Sequence, residues 1–225
     1  MDHAVISEIG NRIKNDDAWL WLEEGNVFIM AVADGLGGHT DGDKAAKAAC
    51  DALQKRLTKH DEKLSDIFVS INQDIFSNKK IQGYCTLAAV KYGDQRFELA
   101  HVGDTRIYVI ENGSFSYISR DHSVVRALVD IGEIEYDELR HHPERNKLLR
   151  VIGESEDVKV DYYEFTSTEG ILICSDGLWE RVSDENILKS FYKTKNAKAW
   201  LDKLKRLANK SSKEKDNITA IAVRW

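Results

Sequence analysis

The chain has 225 residues and a formal net charge of −6, so it can bury one substantial core and has no basic surplus for nucleic acid. No segment approaches the roughly 18 consecutive apolar residues of a membrane span, and the first 17 residues lack a signal-peptide pattern. Three cysteines among apolar neighbours favour buried thiols over disulfides. We therefore expect a monomeric, cytoplasmic, single-domain protein that binds neither nucleic acid nor membrane.

Hydrophobic periodicity gives the elements in chain order, because strands repeat every two residues and helices every 3.6. The predicted strands are 3–9, 18–23, 26–33, 84–91, 95–102, 105–110, 115–118, 158–165, 170–175 and 218–224. The predicted helices are 43–57, 64–75, 184–188 and 197–208, with 122–150 mainly helical or irregular. Paired helices between runs of hairpin strands favour an α+β layered fold over a wound βαβ sheet.

Aspartates stand beside glycines where apolar runs end. These pairs are Asp34-Gly35, Gly103-Asp104 and Asp176-Gly177, and Asp216-Asn217 stands just before the last predicted strand. Taken singly, each Asp-Gly pair is also a common turn signal without chemistry. If the sheets gather these strand ends, however, several carboxylates converge. Hard oxygen ligands without Cys or His spacing suit Mg²⁺ or Mn²⁺.

The glycine-rich loop 35–40 does not fit the nucleotide-binding patterns. It lacks the third glycine of a dinucleotide fingerprint, and Asp43-Lys44 stands where a Walker A loop needs Lys followed by Ser or Thr. The histidines show no zinc spacing with cysteines. Neither a nucleotide-binding loop nor a structural zinc site is therefore predicted.

Seven short motifs occur in one order along the chain. They are Arg12-x-x-Asn15-Asp16-Asp17, Asp34-Gly35-Leu36-Gly37-Gly38-His39, Gly103-Asp104-Thr105-Arg106, Arg120-Asp121-His122-Ser123, His142-Pro143-x-Arg145-Asn146, Ser175-Asp176-Gly177-Leu178-Trp179 and Asp216-Asn217-Ile218-Thr219. This order resembles the metal-dependent Ser/Thr protein phosphatases of type 2C, in their compact bacterial form. The resemblance covers about residues 5 to 224.

The resemblance implies a four-layer α-β-β-α sandwich of two antiparallel sheets flanked by helical pairs. It implies one catalytic domain over 1–225, with a flap subdomain at about 122–165. It also implies a site with two Mn²⁺ or Mg²⁺ ions and a third, weaker one. Its metal-binding residues would be Asp34 as the bridge, the Gly35 carbonyl, Asp176, Asp216, Asp17 through water, and Asp121 at the third ion.

Two basic residues have candidate roles in catalysis. By the resemblance Arg12 grips the substrate phosphate, since a guanidinium makes paired bonds to phosphoryl oxygens; the alternative is an ordinary surface arginine. His39 either protonates the leaving group or only shapes its loop, and the sequence leaves both open. For Asp104 we expect a structural ion pair with Arg106.

The function implied is hydrolysis of phosphoserine and phosphothreonine in proteins. The implied partners are phosphorylated proteins, namely the targets of a Ser/Thr kinase and the kinase itself. Two alternatives stay open: a catalytically silent, phosphatase-like interaction domain, and a hydrolase of small phosphoesters. Retention of Arg12, Asp17, Asp34, Asp176 and Asp216 together speaks against a silent domain.

Overall fold

Ten strands form two antiparallel sheets in the computed structural model, which describes residues 1–36, 41–56, 62–211 and 216–225. The strands are β1 (Asp2–Glu8), β2 (Asp17–Glu24), β3 (Val27–Asp34), β4 (Leu87–Gly93), β5 (Arg96–Val102), β6 (Arg106–Glu111), β7 (Ser114–Ile118), β8 (Asp161–Phe165), β9 (Gly170–Cys174) and β10 (Ile218–Arg224). The first sheet has the order β1-β10-β9-β6-β7 and the second the order β2-β3-β4-β5-β8.

Helices cover the outer faces of both sheets. They are α1 (Gly42–Arg56), α2 (Leu64–Ser77), α3 (Val124–Asp130), α4 (Asp176–Trp179), α5 (Asp184–Tyr192) and α6 (Ala197–Ser211), and a 3₁₀ helix spans Tyr136–His141. Serine side chains cap two of them: Ser123 accepts from the Arg126 amide before α3, and Ser183 accepts from the Asn186 amide before α5. These caps satisfy backbone donors that the first helical turn leaves unpaired.

Three apolar clusters separate the layers. One lies between the α1–α2 pair and the second sheet, a second between the first sheet and the helices α4 to α6, and the third between the two sheets. The inner cluster includes Met30, Val90, Ile107, Ile173 and Ile221. The predicted α+β fold, a four-layer α-β-β-α sandwich, is therefore confirmed.

Most strand predictions agree with the structure to within a few residues, and the differences lie between β7 and β10. Residues 122–150 contain only two short helical segments joined by irregular chain, and the end of the expected flap region forms the edge strand β8. The four-residue helix α4 was not predicted, because it is too short to show a period. Among the described residues, no helix has both the length and the apolar character needed to cross a bilayer.

The inner cluster should dominate stability. Ile173 in β9 is fully buried between the sheets, whereas Ile131 is 72% exposed. We expect Ile173→Ala to lower the free energy of unfolding by about 2–5 kcal/mol, because the cavity cannot collapse between two rigid sheets. Ile131→Ala is the matched control and should change it by less than about 0.5 kcal/mol. Urea unfolding measures both, and equal effects would contradict the packing described.

Candidate functional site

Strand ends from both sheets enclose a cavity of about 410 Å³ at one end of the sandwich. Its lining residues are Arg12, Asp16, Asp17, Asp34, Gly35, Leu36, Thr86, Asp104, Asn146, Leu148, Asp176, Asp216 and Asn217. The predicted residues Arg12, Asp17, Asp34, Gly35, Asp176 and Asp216 are thus brought together. Residues more than 200 positions apart meet because β1, β9 and β10 are neighbours in one sheet while β2 and β3 are neighbours in the other.

The register of the second sheet sets two aspartates side by side. Asp17 begins β2 and stands directly opposite Asp34, which ends β3. One Asp17 oxygen, Oδ2, accepts from Ser175 Oγ at 2.9 Å, whereas the buried Oδ1 has no hydrogen-bond partner. The Asp34 amide donates to Thr86 Oγ1 at 3.0 Å, which fixes the end of β3. An acceptor oxygen buried without a donor is costly and calls for a cation.

Two glycines beside the aspartates are required by close backbone contacts. A Cβ on Gly35 would lie 2.4 Å from the carbonyl group of Gly42 and 2.7 Å from the Asp16 oxygen. A Cβ on Gly177 would lie 1.9 Å from the Asn217 carbonyl oxygen. The Asp-Gly pattern therefore reflects backbone packed against backbone around the cavity.

Asp216 lies at the cavity rim, where it binds Arg12. The Arg12 guanidinium donates to both Asp216 oxygens, at 2.7 Å from Nε and 2.5 Å from Nη2. Burial disfavours the charged Asp216, but the bonds from Arg12 and from the Asn217 amide outweigh it and hold its pKa below the usual range. The Arg12 side chain is 57% exposed, so its remaining donors face solvent at the cavity mouth.

Burial and neighbouring charges raise the pKa values of Asp17, Asp34 and Asp176 in the cavity. Burial raises the pKa of Asp17 to about 6, although bonds from Thr219 and Ser175 oppose it. Burial and then the charges of Asp17 and Asp176 raise the pKa of Asp34 well above its usual range. Burial and then Asp104 do the same for Asp176. Like charges in a low-dielectric site produce this pattern.

The prediction of an ion pair between Asp104 and Arg106 is wrong, because Arg106 pairs with Asp121. Both Asp121 oxygens accept from Arg106, at 2.8 and 2.6 Å, and both side chains are 1% exposed. Asp104 instead lines the cavity, where burial and then the charge of Asp121 raise its pKa to about 8. The reason is strand geometry: Arg106 lies in β6 and stacks on Trp179 in the cluster outside its sheet, whereas Asp104 precedes the strand.

Some site residues fall outside the predicted roles. His39 lies outside the described residues. Thr86, Asn146 and Asn217 line the cavity, and none of them was assigned a role from the sequence, although Asn146 and Asn217 lie within the motifs. The available signal for Asn217 was its place beside Asp216, since a short amide side chain there can bind neighbouring backbone.

A second group of metal-ligating types is formed by His101, His122 and Asp161. His122 and Asp161 are already bound to neighbouring groups, whereas neither ring nitrogen of the buried His101 has a hydrogen-bond partner among the described residues. The Gly103 amide donates to His122 Nδ1 at 3.0 Å, so the ring proton is on Nε2, which faces Asp161 Oδ2 at 3.2 Å. Arg150 Nη1 lies 2.9 Å from both His122 Nε2 and Asp161 Oδ1. The group therefore ties the chain around Arg150 to β8 and offers no open lone pair on His122.

The main cavity fits a divalent cation. Its donors are carboxylate oxygens, and the pKa values of Asp17, Asp34 and Asp176 are raised. The Oδ1 atom of Asp17 is buried without a hydrogen-bond partner, and no sulfur or imidazole lines the cavity among the described residues. Such a donor set suits Mg²⁺ or Mn²⁺.

Comparisons with known proteins agree with this site. The protein phosphatase 2C family model matches residues 7–220. A serine/threonine phosphatase, stp, from Listeria welshimeri is 32% identical over 98% of this chain and 95% of its own. The crystal structure of the serine/threonine phosphatase Stp1 from Staphylococcus aureus is 28% identical, with a TM-score of 0.89 over 100% of this chain and 95% of that chain.

A further solved structure bears on the metal. It is the catalytic domain of the serine/threonine protein phosphatase PstP in complex with two manganese ions, 27% identical, with a TM-score of 0.80 over 98% of this chain and 96% of that one. The family as a whole uses divalent metals. With its sheets, its carboxylate cavity and a family match over nearly its full length, the chain belongs to the protein phosphatase 2C family of serine/threonine phosphatases.

Proposed function

We propose that this chain hydrolyses phosphoserine and phosphothreonine in proteins at the carboxylate cavity. The observation that carries the proposal is the convergence of Asp17, Asp34, Asp176 and Asp216 with Arg12 at the mouth of one cavity. Four carboxylates would repel a phosphate, so the site needs cations before it can accept one. Among the described residues that line the cavity, Arg12 is the one arginine, and it is the proposed phosphate-binding group.

The proposed metal ligands are the side chains of Asp17, Asp34, Asp176 and Asp216 and the carbonyl of Gly35. When bound, two Mn²⁺ or Mg²⁺ ions supply a hydroxide at neutral pH and neutralise phosphoryl oxygens. For a third ion the resemblance implied Asp121, but Asp121 does not line the cavity and is buried against Arg106. We propose Asp104 in its place beside Asp176, because Asp104 lines the same cavity.

Arg12 binds the substrate phosphate in this proposal. Its guanidinium is held by Asp216 on one edge and exposed on the other, so it can present N–H groups to a phosphoryl oxygen without losing its partner. The pair also raises the pKa of Arg12 above its usual value, chiefly through the Asp216 hydrogen bond. The guanidinium therefore stays charged and oriented.

The chain over 122–165 supplies the opposite wall and is the proposed flap of a single domain spanning 1–225. Asn146 and Leu148 line the cavity from this segment, and Arg145 is held by Glu180 at 3.1 Å. An irregular segment at the cavity mouth suits extended phosphorylated chains of proteins. We propose that these substrates include the targets of a Ser/Thr kinase and the kinase itself.

The first prediction concerns the carboxylates. A phosphothreonine peptide should be hydrolysed with Mn²⁺ and not with EDTA, and Asp34→Asn or Asp176→Asn should lower kcat/KM by at least about 100-fold, because each removes a negative ligand from a cation site. Release of inorganic phosphate measures this. Asp202→Asn is the control, since Asp202 lies on α6 and pairs with Lys198 on the surface. Hydrolysis that survives EDTA would refute the proposed chemistry.

The same assay separates the alternatives. A silent interaction domain would bind the phosphopeptide without releasing phosphate at any metal concentration. A hydrolase of small phosphoesters would show a higher kcat/KM for p-nitrophenyl phosphate than for the peptide. We expect the peptide to be preferred, since the flap adds contacts to the chain around the phosphate.

The second prediction concerns Arg12. Arg12→Lys keeps the charge but loses the planar fork, so we expect kcat/KM for the phosphopeptide to fall about 10-fold, with Arg12→Ala worse. Binding of Mn²⁺, measured by calorimetry, should change little. The control is Arg96→Lys. Arg96 lies on β5 and forms an exposed ion pair with Glu164 on β8, so this substitution should leave kcat/KM unchanged. Equal kcat/KM for Arg12→Lys and the parent protein would contradict a phosphate grip.

The third prediction is a pH dependence of stability. Groups whose folded pKa is raised stabilise the fold at low pH and lose that effect as pH rises through the folded pKa. With Asp104 at about 8, the melting temperature of the metal-free protein should fall between about pH 6.5 and 8.5, above the titration of unfolded histidine. Mn²⁺ should reduce this fall, since it binds the ionised carboxylates.

Asp104→Asn should also reduce the fall in the metal-free protein, because it removes the titrating group. Asp121→Asn should cost about 3–5 kcal/mol, because it removes the charged group that accepts two bonds from the buried Arg106. It should also reduce the fall, because the charge of Asp121 helps to raise the pKa of Asp104. A melting temperature of the metal-free protein that is flat or rises over this range would contradict the raised carboxyl pKa values.

A further inference from the structure

The loop between β1 and β2 carries Arg12 but has little packing of its own. Residues 9–14 are exposed, and Ile13 is fully so. Loops without buried side chains open easily, yet a phosphate-binding guanidinium must be held within a fraction of an ångström. Something other than packing has to fix this loop.

One buried amide side chain makes that connection. Asn217 is 6% exposed, and its Nδ2 donates to the Ile9 carbonyl at 2.8 Å and to the Lys14 carbonyl at 3.1 Å. Its Oδ1 accepts from the Asp16 amide at 2.8 Å. The side chain therefore binds the loop at both ends and closes its neck below Arg12.

Register explains why residue 217 can do this. β1 pairs with β10 so that Glu8 stands opposite Ile218, which places Asn217 across from Ile9 just beyond the last ladder pair. The Asn217 backbone is itself confined, because its carbonyl oxygen lies where a Cβ on Gly177 would be. The backbone of Asn217 is thus packed closely against Gly177, in the helix that begins at Asp176.

We propose that Asn217 is a positioning residue for phosphate binding, acting through Arg12. The inference rests on the proposed function, since it assigns to Asn217 the placement of the group that grips the substrate. Asp216 holds the guanidinium and Asn217 holds the backbone beneath it, so two adjacent residues orient one side chain. Without Asn217 the loop would depend on exposed contacts such as the Arg12–Asp216 and Lys14–Asp43 pairs, and exposed ion pairs are weak restraints in water.

A double-mutant cycle on kcat/KM tests the proposal in the full chain with Mn²⁺ and a phosphothreonine peptide. In the protein that keeps Arg12, we expect Asn217→Ala to lower kcat/KM about 10-fold or more, mostly by raising KM. In the Arg12→Ala background the same change should matter by less than about twofold. Asn217→Asp should behave like Asn217→Ala, because its second oxygen would face the Ile9 and Lys14 carbonyls.

Two readouts that do not depend on activity complete the test. Hydrogen exchange at the Asp16 amide should accelerate in Asn217→Ala, since that amide loses its acceptor. Calorimetric affinity for Mn²⁺ should stay within about twofold of the parent protein. A loss of Mn²⁺ affinity would show that the substitution acts through Asp216, and that outcome would overturn the proposal.

The chain offers a matched control in Asn72, a fully buried asparagine with the same bonding pattern. Its Nδ2 donates to the carbonyls of Ser155 and Glu156, and its Oδ1 accepts from the Gly153 amide. Asn72→Ala should cost stability comparably, by thermal melting. Its partners lie in the proposed flap, so any loss of kcat/KM that it causes should be the same in the proteins with Arg12 and with Arg12→Ala. Additivity in the Asn217 cycle would refute a role through Arg12; an inactive parent protein would refute the proposed function instead.

Discussion

The mutual repulsion of the cavity aspartates is the constraint on which the rest of the structure depends. Asp17 and Asp34 face each other across a strand pair, and Asp176 and Asp216 approach them from the other sheet. Ionised together in a buried site they are unfavourable by several kcal/mol. The fold holds them there because the three apolar clusters supply the stabilising free energy elsewhere, and the arrangement becomes favourable when cations bind.

The inner cluster sets the geometry of the site as well as stability. The four aspartates belong to strands or strand ends of different sheets, so the distance between the two pairs follows the packing of one sheet on the other. Sheets packed face to face lie about 10 Å apart. Glycine at positions 35 and 177 allows the backbone segments beside the aspartates to pack in contact, since any side chain at either position would clash with backbone atoms.

Local patterns in the sequence predicted the strands, the α+β layering and the positions of Asp34, Asp176 and Asp216 beside Gly or Asn at strand ends. The four-layer sandwich and the role of Asp17 came from the resemblance to the phosphatase family. The sequence did not predict partners that depend on direction in space. Arg106 follows Asp104 by two residues yet binds Asp121, since a strand residue points away from the loop that precedes it. Asn217 likewise binds the Ile9 and Lys14 carbonyls because of the register between β1 and β10. No sequence motif indicates that register.

The placement of Arg12 shows why a site of this kind needs hydrogen bonds where a core would use packing. In the proposed function Arg12 meets a phosphate in water, so it cannot be buried and apolar contacts cannot hold its loop. The Asp216 carboxylate orients the guanidinium and the Asn217 amide closes the backbone below it. The amide side chain of Asn217 carries no net charge, so its hydrogen bonds fix the loop without adding to the repulsion among the aspartates beside it.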